Sequence, residues 1–292
     1  MTKILITGAK GQLGKEIQRQ SHNVKNASFL FMDIDELDLR DEKQVKEIIS
    51  DIQPSFLVNC AAYTAVDKAE DDEANAFAVN ATALQNIIRA AVSVPDMKLI
   101  HISTDFVFEG QRKTPYKEDS KTGALSVYGK SKQKGEEYAL SYPLSVIIRT
   151  SWLYSEFGSN FVKTIMRLSS ERDEINVVND QVGTPTWAAD LASAVISIIK
   201  YSIEDKNSFI PGIYHYSNEG HCSWYEFARE IKRIEGLDIK INPVSTAEFP
   251  LPAERPEYSV LSLDKIKKTY NINIPSWQES LEECIKRIKH KR

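Results

Sequence analysis

The stretch "KILITGAKGQLGKEIQRQ", residues 3–20, constrains this chain more than any other. An apolar run of strand type at 3–7 breaks into a loop carrying Gly8, Gly11 and Gly14, and the loop opens into a helix-forming segment. Strand, glycine turn and helix in that order bring free backbone N–H groups and the positive end of a helix dipole to one point, where a pyrophosphate is favoured. Glycine lets the backbone approach such a ligand, whereas a plain tight turn would explain the glycines without one.

The rest of the first half repeats the strand rhythm. Apolar runs at 29–33, 56–60, 98–103 and 144–149 alternate with amphipathic, helix-like segments. Short apolar runs separated by helices predict buried parallel strands, hence an α/β fold of the Rossmann type: a doubly wound parallel sheet with helices on both faces. After about residue 150 the rhythm loosens into helical stretches at 160–170, 187–202 and 223–234, joined by Pro- and Gly-bearing loops. The expected organisation is a dinucleotide-binding domain over 1–150 and a smaller mixed α/β substrate lobe over 151–292, with part of 180–210 packing back on the first. No internal repeat or low-complexity segment interrupts this pattern.

Composition narrows the function classes. A chain of 292 residues with 42% hydrophobic content can bury a large core. Its formal charge of −4 mixes 41 acids with 37 bases and contains no long basic block, so nucleic acid is not an expected partner. The basic run at 286–292 reads as the solvated last turn of a helix. No apolar run is long enough for a membrane span or a signal peptide, and Cys60, Cys222 and Cys284 are isolated from one another, as suits a reducing cytoplasm. The five histidines form no metal-ligand grouping.

Two sets of polar residues remain. Asp33 ends the second run, 19 residues beyond Gly14, near the spacing at which an acid meets an adenosine ribose and favours NAD. Lys10 lies beside Gly11 and would instead suit a 2′-phosphate, and Asp35, Asp38 and Arg40 leave the local charge mixed. A strand-end cap is the plainer role for Asp33. The fourth run ends in Ser103, Thr104 and Asp105, and the helix that follows carries Tyr128 and Lys132 four residues apart. Positions i and i+4 share a helix face, so phenol and ammonium can act together. Hydride delivered to a ketone creates an alkoxide, which needs a proton and a hydrogen-bond donor. Lowering a phenol from its usual pKa of about 10 to about 7 takes roughly 4 kcal/mol. An exposed ion pair supplies about 0–1 kcal/mol, so the pair has to be partly desolvated or helped by other donors.

The motifs "GAKGQLG", "NCAAYTAVDKAE", "STDFVFEG", "YGKSKQKGE", "RTSWLY", "NFVKT", "NDQVGTPT" and "PAERP", in this order, resemble the extended short-chain dehydrogenase/reductase family. The likeness runs from residue 3 to about residue 256 and points to the branch that reduces the C4 ketone of dTDP-4-keto-6-deoxy-L-mannose. It implies a catalytic set of Thr104, Tyr128 and Lys132. Thr104 would orient the ketone, Tyr128 would donate the proton, and Lys132 would tune Tyr128 and hold the nicotinamide ribose. It further implies that Gly8, Gly11, Gln12, Leu13 and Gly14 line the pyrophosphate, that Asp38 and Leu39 lie near the adenine, and that Ala61, Ala62, Tyr63 and Asn80 border the rest of the cofactor. Trp152, Asn160, Gln181 and Arg255 would face the nucleotide-sugar. Phe106 would also border the sugar, and it departs from the family pattern, since related reductases often carry tyrosine there.

The implied cofactor is NADPH, with NADH as the alternative. Some family members are described as holding magnesium through glutamates at a dimer interface; the resemblance does not assign those glutamates in this chain, so magnesium and the choice between monomer and homodimer stay open. Two rivals also stay open. A nucleotide-sugar 4-epimerase or 4,6-dehydratase would share the cofactor loop, although a dehydratase needs a second acid where this chain has Phe106. A non-catalytic dinucleotide-binding regulatory subunit would share the fold and the dinucleotide site and serve as a partner protein without turnover.

Overall fold

The computed structural model describes residues 1–290. In chain order the larger strands of the first lobe are β1 (Thr2–Thr7), β2 (Ala27–Met32), β3 (Phe56–Asn59), β4 (Lys98–Thr104) and β5 (Ser145–Thr150). They match the five apolar runs of the sequence. Beyond them come β6 (Leu153–Tyr154), β7 (Glu174–Val178), β8 (Val182–Gly183), β9 (Thr186–Trp187), β10 (Gly212–His215), β11 (Cys222–Ser223) and β12 (Lys240–Val244). The helices of the first half are α1 (Gln12–Gln20), α2 (Glu42–Ile52), α3 (Val66–Ala69), α4 (Glu73–Phe77), α5 (Ala83–Ala91) and α6 (Val127–Leu140). Those of the second half are α7 (Phe161–Glu171), α8 (Ala188–Glu204), α9 (Trp224–Glu235), α10 (Asp264–Tyr270) and α11 (Trp277–His290).

Six strands form one parallel sheet in the order β10-β5-β4-β3-β1-β2. β2 lies on one side of β1 and β3 on the other, so the winding direction reverses between β1 and β3. In such sheets the crevice outside the carboxyl ends of the strands at this reversal is where ligands bind. Strand periodicity explains the two hydrophobic layers. Ile4 and Ile6 point to the face covered by α1 and α8, whereas Leu5, Leu57, Leu99 and Ile147 point to the face covered by α2 and α5. Truncating a fully buried member such as Ile100 to alanine costs about 2–5 kcal/mol.

The chain returns to this sheet late. α8 packs on α1, and β10 adds the sixth strand beside β5. The remaining core lies between α7, α9 and α11 and the parallel pair β7 and β12. α9 begins with a reciprocal capping box between Ser223 and Glu226 and ends at Gly236, whose φ of +67° suits glycine. The basic run at the end of the sequence enters the last turn of α11 with Arg287, Lys289 and His290, and its final two residues lie outside the described residues. Among the described residues no helix is long and apolar enough to cross a membrane.

Candidate active site

The glycine loop is shaped by contacts that a side chain would break. Gly8 has φ +68°, and a Cβ there would stand 2.6 Å from the Ala61 nitrogen. A Cβ on Gly14 would stand 2.4 Å from the Gly8 carbonyl oxygen, so only glycine lets α1 approach the loop this closely. Gly11 is the N-cap of α1 and offers no side-chain cap, which leaves the first-turn amides available to an anion. Thr7 donates to Asn59 Oδ1 at 2.9 Å, and the same oxygen accepts the Ala61 N–H at 3.1 Å, fixing the turn after β3 against the loop after β1.

Between the two turns lies a crevice of about 350 Å³. Of the cofactor candidates, Gly8, Lys10, Gly11, Asp33, Asp38, Leu39, Ala61 and Ala62 line it together. Asp33 Oδ2 accepts the Lys10 backbone N–H at 2.7 Å, so this acid clasps the glycine loop. The Lys10 ammonium pairs with Asp35, and Arg40 forks onto Asp38 at 2.7–3.2 Å. Arg40 holds the Asp38 carboxyl below its ordinary value. Gln12, Leu13, Tyr63 and Asn80 play supporting parts. Leu13 is buried in the core, and Gln12 accepts from Asn160 at 2.9 Å. Buried Asn80 bonds both backbone groups of Tyr63 and the Ser131 hydroxyl, bracing the turn at 61–63 against α6. The Tyr63 hydroxyl turns away to Asp72.

α6 starts at Ser126, whose hydroxyl accepts the Gly129 N–H at 3.1 Å. This start sets Tyr128 and Lys132 on the helix face that meets β4, and both are buried. Lys132 Nζ donates to the Ile102 carbonyl at 2.6 Å and its charge is felt by Cys60, a residue of the cofactor crevice. Burial lowers the Lys132 ammonium to about 8, opposed by the carboxylate of Glu136 one turn on. Glu136 is itself neutralised by Arg149 at 2.7–2.8 Å. Tyr128 faces the Thr104 hydroxyl, and its ring meets Phe106 edge-on at 5.5 Å.

Burial pushes the Tyr128 phenol up to about 12, and the Thr104 hydroxyl only partly offsets this. The sequence reading expected desolvation together with a lowered phenol. The desolvation is there, but it raises the phenol because Lys132 is turned to the β4 carbonyl. Asp105 is buried beside Thr104, from which it accepts at 3.2 Å, and burial pushes its carboxyl up to about 6.

On the far side of Phe106 lies a cavity of about 330 Å³. Of the residues expected near the nucleotide-sugar, Trp152, Gln181, Arg255 and Phe106 line it together. Trp152 adopts φ +46° and stacks on Trp224 at 3.6 Å between ring centroids, 7° from parallel. Gln181 donates to Thr246 at 3.0 Å. Asn160 is not among the lining residues: it caps α7 by accepting from Lys163 and reaches back to Gln12. Phe161, Trp224, Phe249 and Leu251 also line the cavity and were not singled out in the sequence, Phe161 and Trp224 because aromatic residues on helices read first as core, Phe249 and Leu251 because they lie in an irregular segment with no periodic pattern. Among the described residues no group of three His, Cys, Asp or Glu side chains could hold a metal.

The chain matches the family model described as "RmlD substrate binding domain" over residues 1–290. A dTDP-4-dehydrorhamnose reductase of Sinorhizobium fredii is 40% identical over 288 residues, covering 97% of this chain and 96% of the relative. The crystal structure of a dTDP-4-dehydrorhamnose reductase from Clostridium acetobutylicum superposes with a TM-score of 0.91 at 42% identity, over 99% of this chain and all of that one. Another, from Bacillus anthracis in complex with NADP, gives 0.92 at 38% identity, over 98% of this chain and all of that one.

Proposed function

The chain belongs to the RmlD substrate-binding-domain family, and from this premise we propose that it reduces the C4 ketone of dTDP-4-dehydro-L-rhamnose to dTDP-L-rhamnose. It is an oxidoreductase that uses a reduced nicotinamide dinucleotide. NADPH is the reductant we assign, with NADH as substitute, supported by Lys10 and Arg40 at the crevice and by the NADP held by the Bacillus anthracis relative.

One observation carries the reading: the Tyr128–Lys132 face joins two cavities. Lys132 neighbours Cys60 of the glycine-loop crevice, and Tyr128 touches Phe106 of the aromatic cavity. A dinucleotide in the first and a nucleotide-sugar in the second would meet at this face. The glycine loop fits the dinucleotide because its N–H groups and helix end suit a pyrophosphate.

When bound, the dinucleotide supplies a hydride to the ketone carbon. Thr104 orients the ketone oxygen through its hydroxyl, and the Tyr128 O–H gives its proton to the oxygen as negative charge develops. A phenol held near 12 stays protonated at neutral pH, as an acid must before its step. Lys132, one turn along α6, lies toward Cys60 and the glycine-loop crevice, where its ammonium would hold the nicotinamide ribose. Trp152, Trp224 and Phe161 offer flat apolar faces for the substrate, and Arg255 offers a fork for its diphosphate. Phe106 stands where a dehydratase would need a second acid, so water elimination lacks its catalyst. Every residue named comes from one chain.

The test is loss of reduced-nicotinamide absorbance on adding dTDP-4-dehydro-L-rhamnose, with NADPH and NADH in parallel. The reading predicts one equivalent oxidised per substrate and a faster rate with NADPH. Dinucleotide binding without net oxidation would contradict it.

A further inference from the structure

Arg255 is already engaged. Its Nη1 donates to Asp67 Oδ1 at 3.0 Å and to the Ala253 carbonyl at 2.7 Å, and its Nη2 donates to Asp67 Oδ2 at 2.8 Å. Asp67 lies on α3 of the dinucleotide lobe, just after the turn at 61–63. Arg255 lies on a strap, residues 249–256, of the second lobe. The same carboxylate accepts the Ala253 backbone N–H at 3.2 Å, so one acid grips the strap at two points. The strap is fastened before its start by Gln181 and Asp180 on Thr246, and after its end by the Tyr258 N–H on the Gly110 carbonyl at 3.0 Å. Between these ends Asp67 holds it.

Counting donors shows what this grip leaves. A guanidinium has five N–H donors, one on Nε and two on each Nη. Both on Nη1 and one on Nη2 are used. The Nε–H and the second Nη2–H remain, and they share one edge of the plane. Such an edge matches two phosphate oxygens. Arg255 borders both the aromatic cavity and a second cavity of about 520 Å³ beneath the strap. Asp67 is held ionised by the same contact, since Arg255 keeps its carboxyl below the ordinary value.

We propose that Asp67 is a positioning residue of the sugar-nucleotide site: it locks the Arg255 guanidinium so that the Nε–Nη2 edge is left for the diphosphate, and it pins the strap across the cleft. This rests on the assignment of Arg255 to the diphosphate made above. Asp67 lines neither the glycine-loop crevice nor the aromatic cavity. Its effect therefore falls on nucleotide-sugar binding and passes through Arg255.

Titration calorimetry with dTDP as probe tests this on the full chain as wild type, Asp67→Asn, Arg255→Ala and the double variant. Asp67→Asn and Arg255→Ala should each weaken dTDP about tenfold or more, about 1.4 kcal/mol per tenfold. The double variant should be no weaker than Arg255→Ala alone, and NADPH affinity should stay at the wild-type value in all. In turnover, Asp67→Asn should raise KM for the sugar-nucleotide more than it lowers kcat. Arg255→Lys, which keeps the charge and loses the fork, should also bind dTDP more weakly; wild-type affinity there would overturn the geometric argument. Unchanged dTDP affinity in Asp67→Asn beside a loss in Arg255→Ala would overturn the role of Asp67 and leave that of Arg255 standing. Additive losses would show Asp67 acting apart from Arg255, and tighter binding in Asp67→Asn would show it competing with the diphosphate; either overturns the proposal. Wild-type affinity in Arg255→Ala would remove both residues from the site.

Discussion

Tyr128 keeps its proton until the reaction makes a base strong enough to take it. Its phenol is held near 12 by burial, so replacing it with phenylalanine removes the acid and little packing. Tyr128→Phe should lower kcat by about 10²–10⁴-fold while leaving NADPH affinity unchanged, and near-normal turnover would refute its role. Lys132 sets the alkaline boundary. Its ammonium is depressed to about 8, so its charge is present below that pH and fades above it. The profile of kcat/KM should therefore fall as pH rises through about 8, and a profile flat to pH 9.5 would show that the charge is not required. The pairing of these residues was legible from their spacing and the strand end before them. Their ionisation was not, because it depends on burial and on which way Lys132 turns.

The first turn of α1 ties sequence to chemistry at the scale of an element. Gly14→Ala would force a Cβ within 2.4 Å of the Gly8 carbonyl oxygen, so the loop or the helix must shift. NADPH affinity should drop at least tenfold in that variant, read by fluorescence titration; wild-type affinity would mean the loop does not cradle the pyrophosphate. This element was legible because all its signals lie within 18 consecutive residues. β10 was not. Its four residues, "GIYH", carry too little periodicity to announce a strand, and only the exposed flank of β5 gives them a place. Trp224 was hidden for a related reason: its helix was plain in the sequence, but its stacking on Trp152 joins positions 72 residues apart. Trp224→Ala should raise KM for the sugar-nucleotide several-fold with NADPH affinity unchanged.

The two halves of the molecule are fastened by a buried acid cluster as well as by apolar packing. Glu16 on α1 and Glu156 of the second half share Arg19, and Ser155 donates to Glu16 at 3.1 Å. Burial and the neighbouring Glu156 push the Glu16 carboxyl up to about 8, while Arg19 helps keep Glu156 ionised. A carboxyl whose folded pKa is raised contributes stability that is fully present below its unfolded pKa and is lost as pH rises through the folded one. Glu16→Gln, which mimics the protonated form, should match the wild-type Tm at about pH 4, below the ordinary carboxyl value, and exceed it at pH 9; equal Tm values at both would show that the cluster holds no shared proton. No local pattern marks such a cluster, since its members lie 140 residues apart and meet only when α1 docks. The central claim concerns the whole molecule: two cavities deliver one hydride to one carbon across the Tyr128–Lys132 face. NADPH deuterated at nicotinamide C4 on the transferred face, with dTDP-4-dehydro-L-rhamnose as substrate, tests it most directly. The account predicts one deuterium at sugar C4 of dTDP-L-rhamnose by NMR, and a product without deuterium at that carbon would contradict it.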